Sequence, residues 1–104
     1  MTATVFEALA DPLRRDLLEQ IRLAGPQTVS ALTEGRSVSR QAITKHLDTL
    51  TRAGLLRVRR SGRERIHELD PVPLKEMADW LSPYSAAWDD RLDRLQHHLE
   101  EKPS

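Results

Sequence analysis

Apolar residues recur along most of this chain at three- to four-residue spacing, which predicts amphipathic helices joined by short turns. Four helices are predicted in succession: a short one within residues 1–10, then 12–23, 29–34 and 39–53. Asp11, Thr28 and Ser39 stand at the starts of the last three, and each is a residue type that caps helix N-termini. The first half of the chain is therefore predicted to be a group of packed helices.

The fourth predicted helix separates apolar from polar side chains. Its apolar positions recur at i, i+4 and i+7 as Ile43, Leu47 and Leu50. The opposite side carries Gln41, Lys45, Asp48 and Arg52, with Arg40 and Thr44 flanking it. Gly54 follows the helix, where a left-handed C-cap is expected. The helix is therefore predicted to pack by one face and to present polar side chains by the other.

A short basic β-hairpin is predicted next, over residues 55–69. Its first strand alternates apolar with basic residues: Leu56, Arg57, Val58 and Arg59. Ser61-Gly62 is expected to make the turn. On the returning strand, Ile66 is predicted to point inward, and Arg65 and His67 outward.

A last helical region is predicted over residues 72–101, with a kink or restart at Pro83. Three of the four aromatic residues lie in this region, and the fourth, Phe6, lies in the first helix. A small domain has no need for a long aromatic and leucine-rich helix of its own, so residues 1–10 and 72–101 are predicted to dimerise. The expected interface residues are Phe6, Leu9, Trp80, Tyr84, Trp88, Leu92, Leu95 and Leu99.

Composition limits the possible classes of protein. A chain of 104 residues is expected to form one domain, residues 1–104. The absence of cysteine excludes disulfides and thiolate metal sites. Neither a secretion signal nor a membrane span is recognisable, so a cytoplasmic, nucleoid-associated protein is expected.

Charge is strongly segregated although the net formal charge is zero. Residues 36–67 hold nine of the sixteen Lys and Arg residues and two of the sixteen Asp and Glu residues. A polar helix beside an Arg-rich ribbon fits duplex DNA, with the helix in the major groove. Arg40 is suited to guanine, Gln41 to adenine, and Ser39 and the ribbon arginines to phosphates. The expected DNA contacts are Ser37, Ser39, Arg40, Gln41, Thr44, Lys45, Arg59, Arg60, Arg63 and Arg65, with His67 as a minor one.

Three segments that follow one another along the chain resemble the ArsR/SmtB family of bacterial winged helix-turn-helix repressors: LADPLRRDLLEQI, VSRQAITKHLDTLTRAGLL and RVRRSGRERIHELDP. The resemblance covers about residues 5–70, and the C-terminal run resembles a metal-independent subgroup. It implies a mainly α fold with a small β-hairpin in the order α-α-α-α-β-β-α. It also implies a homodimer that represses transcription from an imperfect palindromic operator.

The same sequence bears on other classes of function. His97 with Glu100, and His98 with Glu101, match half of a known family metal site, but the Asp-x-His half is missing. No nucleophile motif or phosphate-binding glycine loop is present, so an enzyme is not expected. A protein-interaction module with little DNA affinity and a divergent metal-responsive repressor stay open. No cofactor is expected, and a small ligand, a partner protein or no inducer at all remain open as the signal.

Overall fold

The computed structural model describes residues 2–101. Its elements are α1 (Thr2–Leu9), α2 (Pro12–Ala24), β1 (Gln27–Thr28), α3 (Val29–Thr33), α4 (Arg40–Arg52), β2 (Leu56–Ser61), β3 (Glu64–Leu69) and α5 (Val72–Glu101). Two compact units make up the chain, of which the first ends at Leu74 and the second begins at Lys75. The order of helices and of the β2–β3 hairpin, hereafter the wing, confirms the predicted winged helix-turn-helix.

Three helix starts are capped as the sequence predicts. Asp11, Thr28 and Ser39 each accept a hydrogen bond from a backbone N–H two or three residues further along. The backbone N–H of Arg14 stabilises the Asp11 carboxylate and lowers its pKa below the usual range. These bonds satisfy donors that have no partner within the helix.

The C-terminus of α4 is closed by a Schellman motif. Gly54 adopts a φ of 82°, and its N–H donates to the carbonyl of Thr51 at 3.0 Å. The next N–H, of Leu55, donates to the carbonyl of Leu50 at 3.0 Å. Both leucines are fully buried, which supplies the apolar contact that accompanies this motif. The motif therefore sets the angle at which the chain leaves α4 and enters the wing.

The core of the first unit lies among α1–α4 and the base of the wing. Its buried apolar side chains are Val5, Ala8, Leu17, Leu18, Ile21, Val29, Leu32, Ile43, Leu47, Leu50, Leu55 and Leu56. The predicted inward stripe of α4 is confirmed. On α2, Leu17, Leu18 and Ile21 are buried and Leu13 is half-buried. Val58 is 41% exposed rather than buried. It lies far enough along β2 to leave the helices.

The sheet has three antiparallel strands in the order β1-β3-β2, not the two predicted. The missed strand, β1, is two residues long and pairs Gln27 with His67 and Thr28 with Ile66. Such a short strand carries no alternation that a sequence pattern could detect. It attaches the base of the wing to the start of α3, where Thr28 also serves as the helix cap.

The predicted facing of the returning strand was wrong. The turn is formed by Gly62 and Arg63 rather than by the predicted Ser61-Gly62, and Val58 is paired directly with His67. Directly paired residues share a face, so His67 joins the inner face at the base of the wing. His67 is only 3% exposed, while Ile66 is half-buried on the other face. The proposed minor contact of His67 with DNA is therefore excluded, although Arg65 is exposed as predicted.

Burial makes His67 a pH-sensitive element of the fold. Desolvation lowers its pKa below 6.5, Arg65 lowers it further, and Asp48 and a backbone hydrogen bond with Gln27 oppose the shift. Within residues 2–101, its Nδ1 atom has no hydrogen-bond partner. As pH falls below about 6.5, the unfolded chain binds this proton more readily than the folded protein does.

We therefore expect the free energy of unfolding to decrease as pH falls from 7.5 through 6.5 toward the lowered pKa of His67. His67→Gln should flatten this dependence, although the substitution also lowers stability at every pH. Urea denaturation at several pH values between 5 and 7.5 would measure the slope. The same substitution at exposed His98 is the control and should leave the slope unchanged. Equal slopes for His67→Gln and the wild type would contradict the assignment.

Arg14 joins three helices of the first unit. Its guanidinium donates to the carbonyls of Ala8 at 2.6 Å and Glu7 at 3.0 Å, near the end of α1. A third nitrogen lies 3.3 Å from Nδ1 of His46 on α4. Because arginine can only donate, His46 Nδ1 is the acceptor. His46 therefore has a structural role, since it links α4 to α2 through Arg14.

The second unit is helical, and α5 runs through Pro83 without a break. The predicted restart was wrong, because the loss of one backbone donor is tolerated within a 30-residue helix. Trp80 and Tyr84 pack with ring centroids 5.2 Å apart. The predicted interface residues of α5 lie on one side of the helix and are all exposed: Trp80, Tyr84, Trp88, Leu92, Leu95 and Leu99. Phe6 and Leu9 on α1 are half-buried.

Candidate nucleic-acid interface

The exposed side of α4 follows from the way the helix is packed. Ile43, Leu47 and Leu50 have no exposed surface, so the opposite side of the helix must face solvent. Gln41 and Lys45 lie near the centre of that exposed side. Within residues 2–101, their side chains make neither a hydrogen bond nor an ion pair. Two long polar side chains are therefore presented from the first turns of a rigid helix.

Arg40 and Thr44 lie at the edge of this exposed side. The Nη1 atom of Arg40 donates to Oγ of Ser30 on α3 at 2.8 Å. The hydroxyl of Thr44 donates to the carbonyl of Arg40 at 3.0 Å. The hydroxyl of Ser39 is occupied in capping α4, whereas Ser37 is exposed in the preceding turn. Arg40 is thus directed toward α3, away from the middle of the exposed side of α4.

The wing distributes its arginines over both of its faces. Gly62 has a φ of 64° and Arg63 follows it at the tip, as in a type II′ turn. Arg60 and Arg65 are directly paired across the two strands, and Arg59 lies on the other face. Two like charges at paired positions repel each other. A bound anion would relieve that repulsion.

A concavity of about 260 Å³ lies between α4, the start of α3 and the tip of the wing. It is lined by Thr28, Val29, Ser30, Arg40, Thr44, Arg63, Glu64 and Arg65. We refer to it as the α4–wing cleft. It brings together four of the predicted DNA contacts. The other six, which lie outside the lining, are Ser37, Ser39, Gln41, Lys45, Arg59 and Arg60.

Sequence reasoning missed Ser30 and Thr28 as members of this region. The sequence predicts Thr28 only as a helix cap and gives no signal for Ser30. Both come close to the wing because β1 pairs with β3, and that pairing has no sequence signal. Their position beside Arg40 is therefore a property of the folded chain alone.

Not every basic residue within the basic segment 36–67 is available to a ligand. Arg36 donates to the carbonyl of Leu32 at 2.7 Å and to Gln20 at 2.9 Å, so it holds the turn after α3. Arg57 lies 3.8 Å from Glu68 on the neighbouring strand. Within residues 2–101, the guanidinium groups of Arg59, Arg60, Arg63 and Arg65 have neither a hydrogen bond nor an ion pair. The free positive charge is therefore concentrated at the wing tip.

Comparisons with known proteins agree with this geometry. A helix-turn-helix domain model matches residues 9–59. Over 70 residues the chain is 43% identical to the HTH-type transcriptional regulator Rv2034 of Mycobacterium tuberculosis, covering 66% of this chain and 64% of that protein. It is 38% identical over 104 residues to a probable mercury resistance operon repressor of Streptomyces lividans, covering 97% of this chain and 82% of that protein.

The solved structure of an ArsR-like transcriptional regulator from Rhodococcus sp. RHA1 is 35% identical, with a TM-score of 0.71. The match covers 97% of this chain and 94% of that one. The chain belongs to the ArsR family of transcriptional regulators. The predicted family, the winged helix-turn-helix fold and a DNA-binding regulator rather than an enzyme are thereby confirmed.

Two further observations concern this ArsR-family regulator. Residues 2–101 contain no group of three or more His, Cys, Asp or Glu side chains that could share a metal ion. Within the same part of the chain, no helix combines the length and apolar character needed to cross a membrane. Membership of a metal-independent subgroup stays a prediction.

Proposed function

We propose that this regulator is a homodimeric repressor that binds a palindromic operator in the cytoplasm, on the nucleoid. The observation that carries the proposal is the joint exposure of the polar side of α4 and of the unpaired wing arginines. Gln41 and Lys45 are long enough to meet base edges when α4 lies in the major groove. The wing arginines then lie over the flanking backbone, where their charge is neutralised by phosphates.

The dimer is supported by the apolar stripe of α5. Trp88 is 58% exposed and Leu99 is 63% exposed in the single chain. A stripe of aromatic and leucine side chains along a helix is unfavourable in water and is typical of a subunit interface. A two-fold dimer would present two copies of α4 to one duplex, and a palindrome has the matching symmetry. Repression follows if the operator overlaps the site of RNA polymerase.

We propose that α4 contacts bases and that the wing contacts phosphates, and these two roles can be tested with Gln41→Ala and Arg63→Ala. Loss of a matched base contact should cost about 1–3 kcal/mol per half-site on operator DNA and little on scrambled DNA. Arg63→Ala should weaken binding to both sequences by the same factor. Its salt dependence should become shallower by about one unit per protomer, because one phosphate contact is lost.

The measurement is fluorescence anisotropy at several salt concentrations. The operator duplex is one that the wild type selects from a randomised pool, and a scrambled duplex of equal composition is the reference. Leu23→Ala is a suitable control because Leu23 is 70% exposed on α2. A wild type that selects no sequence, or variants that bind both duplexes as the wild type does, would overturn the proposal.

A further inference from the structure

The polar side chains at the start of α4 form two groups, one at the centre of its exposed side and one at the edge. Gln41 and Lys45 project from the centre of the exposed side of the helix, whereas Arg40 and Thr44 lie about 100° around it. When a helix lies in the major groove, the centre of its exposed side meets base edges and its flanks meet the groove walls. The groove walls are the phosphate backbones. Position on the helix therefore places Arg40 nearer to a phosphate than to a base.

The contact with Ser30 fixes Arg40 in this direction. Its Nη1 atom donates to the Ser30 hydroxyl at 2.8 Å, which turns the guanidinium toward the α4–wing cleft. A guanidinium has five N–H donors, so the remaining donors stay available to an anion. Because the side chain is already ordered, less conformational entropy is lost when the anion binds.

The charges around the cleft favour an anion. Arg40, Arg63 and Arg65 line it with one carboxylate, that of Glu64. Arg63 and Arg65 have no hydrogen-bond or ion-pair partner within residues 2–101. A phosphate diester carries one negative charge and offers two oxygens that match a guanidinium fork. Of the parts of duplex DNA, the backbone phosphate is therefore the one that suits this lining.

We propose that the α4–wing cleft binds one backbone phosphate of each half-site through Arg40, and that Ser30 is the residue that positions Arg40. The proposal rests on the proposed function and departs from the sequence expectation that Arg40 reads guanine. Sequence discrimination by α4 then falls to Gln41 and Lys45. Ser30 acts only through Arg40 and contacts no base.

The test compares Arg40→Ala with Gln41→Ala on the selected operator and the scrambled duplex. Arg40→Ala is expected to lower affinity for both duplexes by the same factor, on the order of tenfold per protomer, because a charge-assisted hydrogen bond is lost. The salt slope should become shallower by about one unit per protomer. Gln41→Ala should lower the preference for the operator instead. If Arg40→Ala lowers that preference, or leaves both affinities unchanged, the phosphate assignment is wrong.

Ser30 is tested by a double-mutant cycle. Ser30→Ala should weaken binding about threefold per protomer in the wild type, as expected for a neutral hydrogen bond. It should have no further effect in the Arg40→Ala background. Ser30→Thr keeps the hydroxyl and should restore affinity. Equal effects of Ser30→Ala in both backgrounds would show that Ser30 does not act through Arg40.

The phosphate that Arg40 binds can be identified by replacing single DNA phosphates with uncharged linkages. Single methylphosphonate substitutions are placed at each position along the operator. One position per half-site is expected to weaken the wild type and to leave Arg40→Ala unaffected. If no position behaves in this way, Arg40 binds no phosphate. A wild type with no operator preference would instead contradict the proposed function, and the two failures are therefore distinguishable.

Discussion

Trp88→Glu is expected to produce monomers with greatly weakened operator binding. Trp88 is 58% exposed on α5 and lies within the apolar stripe that we assign to the subunit interface. Burying a glutamate there without a partner would cost several kcal/mol. A monomer can occupy only one half-site, so it loses the gain that comes from linking two sites. We expect operator affinity to fall by about 100-fold or more.

Sedimentation velocity gives the oligomeric state, and anisotropy gives the affinity for operator DNA. Ala86→Glu is the matched control, since Ala86 is exposed about 200° around the same helix from Trp88. It should remain dimeric. Within residues 4–100, none of the buried apolar side chains comes after Leu56 in the sequence. Trp88 is therefore not part of the core of the first unit, and Trp88→Glu leaves that core intact. A dimeric Trp88→Glu protein would show that the interface lies elsewhere.

The helical part of the fold could be predicted because several local signals agree. Asp11, Thr28 and Ser39 begin helices where apolar stripes begin, and Gly54 ends α4 where the stripe ends. Each signal is confined to a few consecutive residues. When caps, spacing and turn residues all indicate the same boundaries, the boundaries are reliable without knowledge of the tertiary structure.

The parts that could not be predicted depend on pairing between distant residues. Gln27 and Thr28 form a strand only because β3 is present beside them. The facing of Ile66 and His67 depends on the length of the turn. With two turn residues Val58 shares a face with His67, and one additional turn residue would exchange the faces. Arg36 and Arg40 are only four residues apart, yet one holds a turn and the other lines a cleft. Charge count alone therefore overstated the number of arginines available to DNA.

Leu47→Ala is expected to lower the free energy of unfolding by about 2–5 kcal/mol, because it removes buried methyl groups and leaves a cavity. Leu47 has no exposed surface and lies at the centre of the inward stripe of α4. A loss of this size is a large fraction of the stability of a small domain. Urea denaturation at one fixed protein concentration would measure it, since dimerisation contributes to stability. Leu23→Ala makes the same chemical change at a 70% exposed site and should stay within about 0.5 kcal/mol of the wild type. If the two variants are equally stable, α4 is not held by this core. Packing of α4 would then not explain why Gln41 and Lys45 are held in fixed positions.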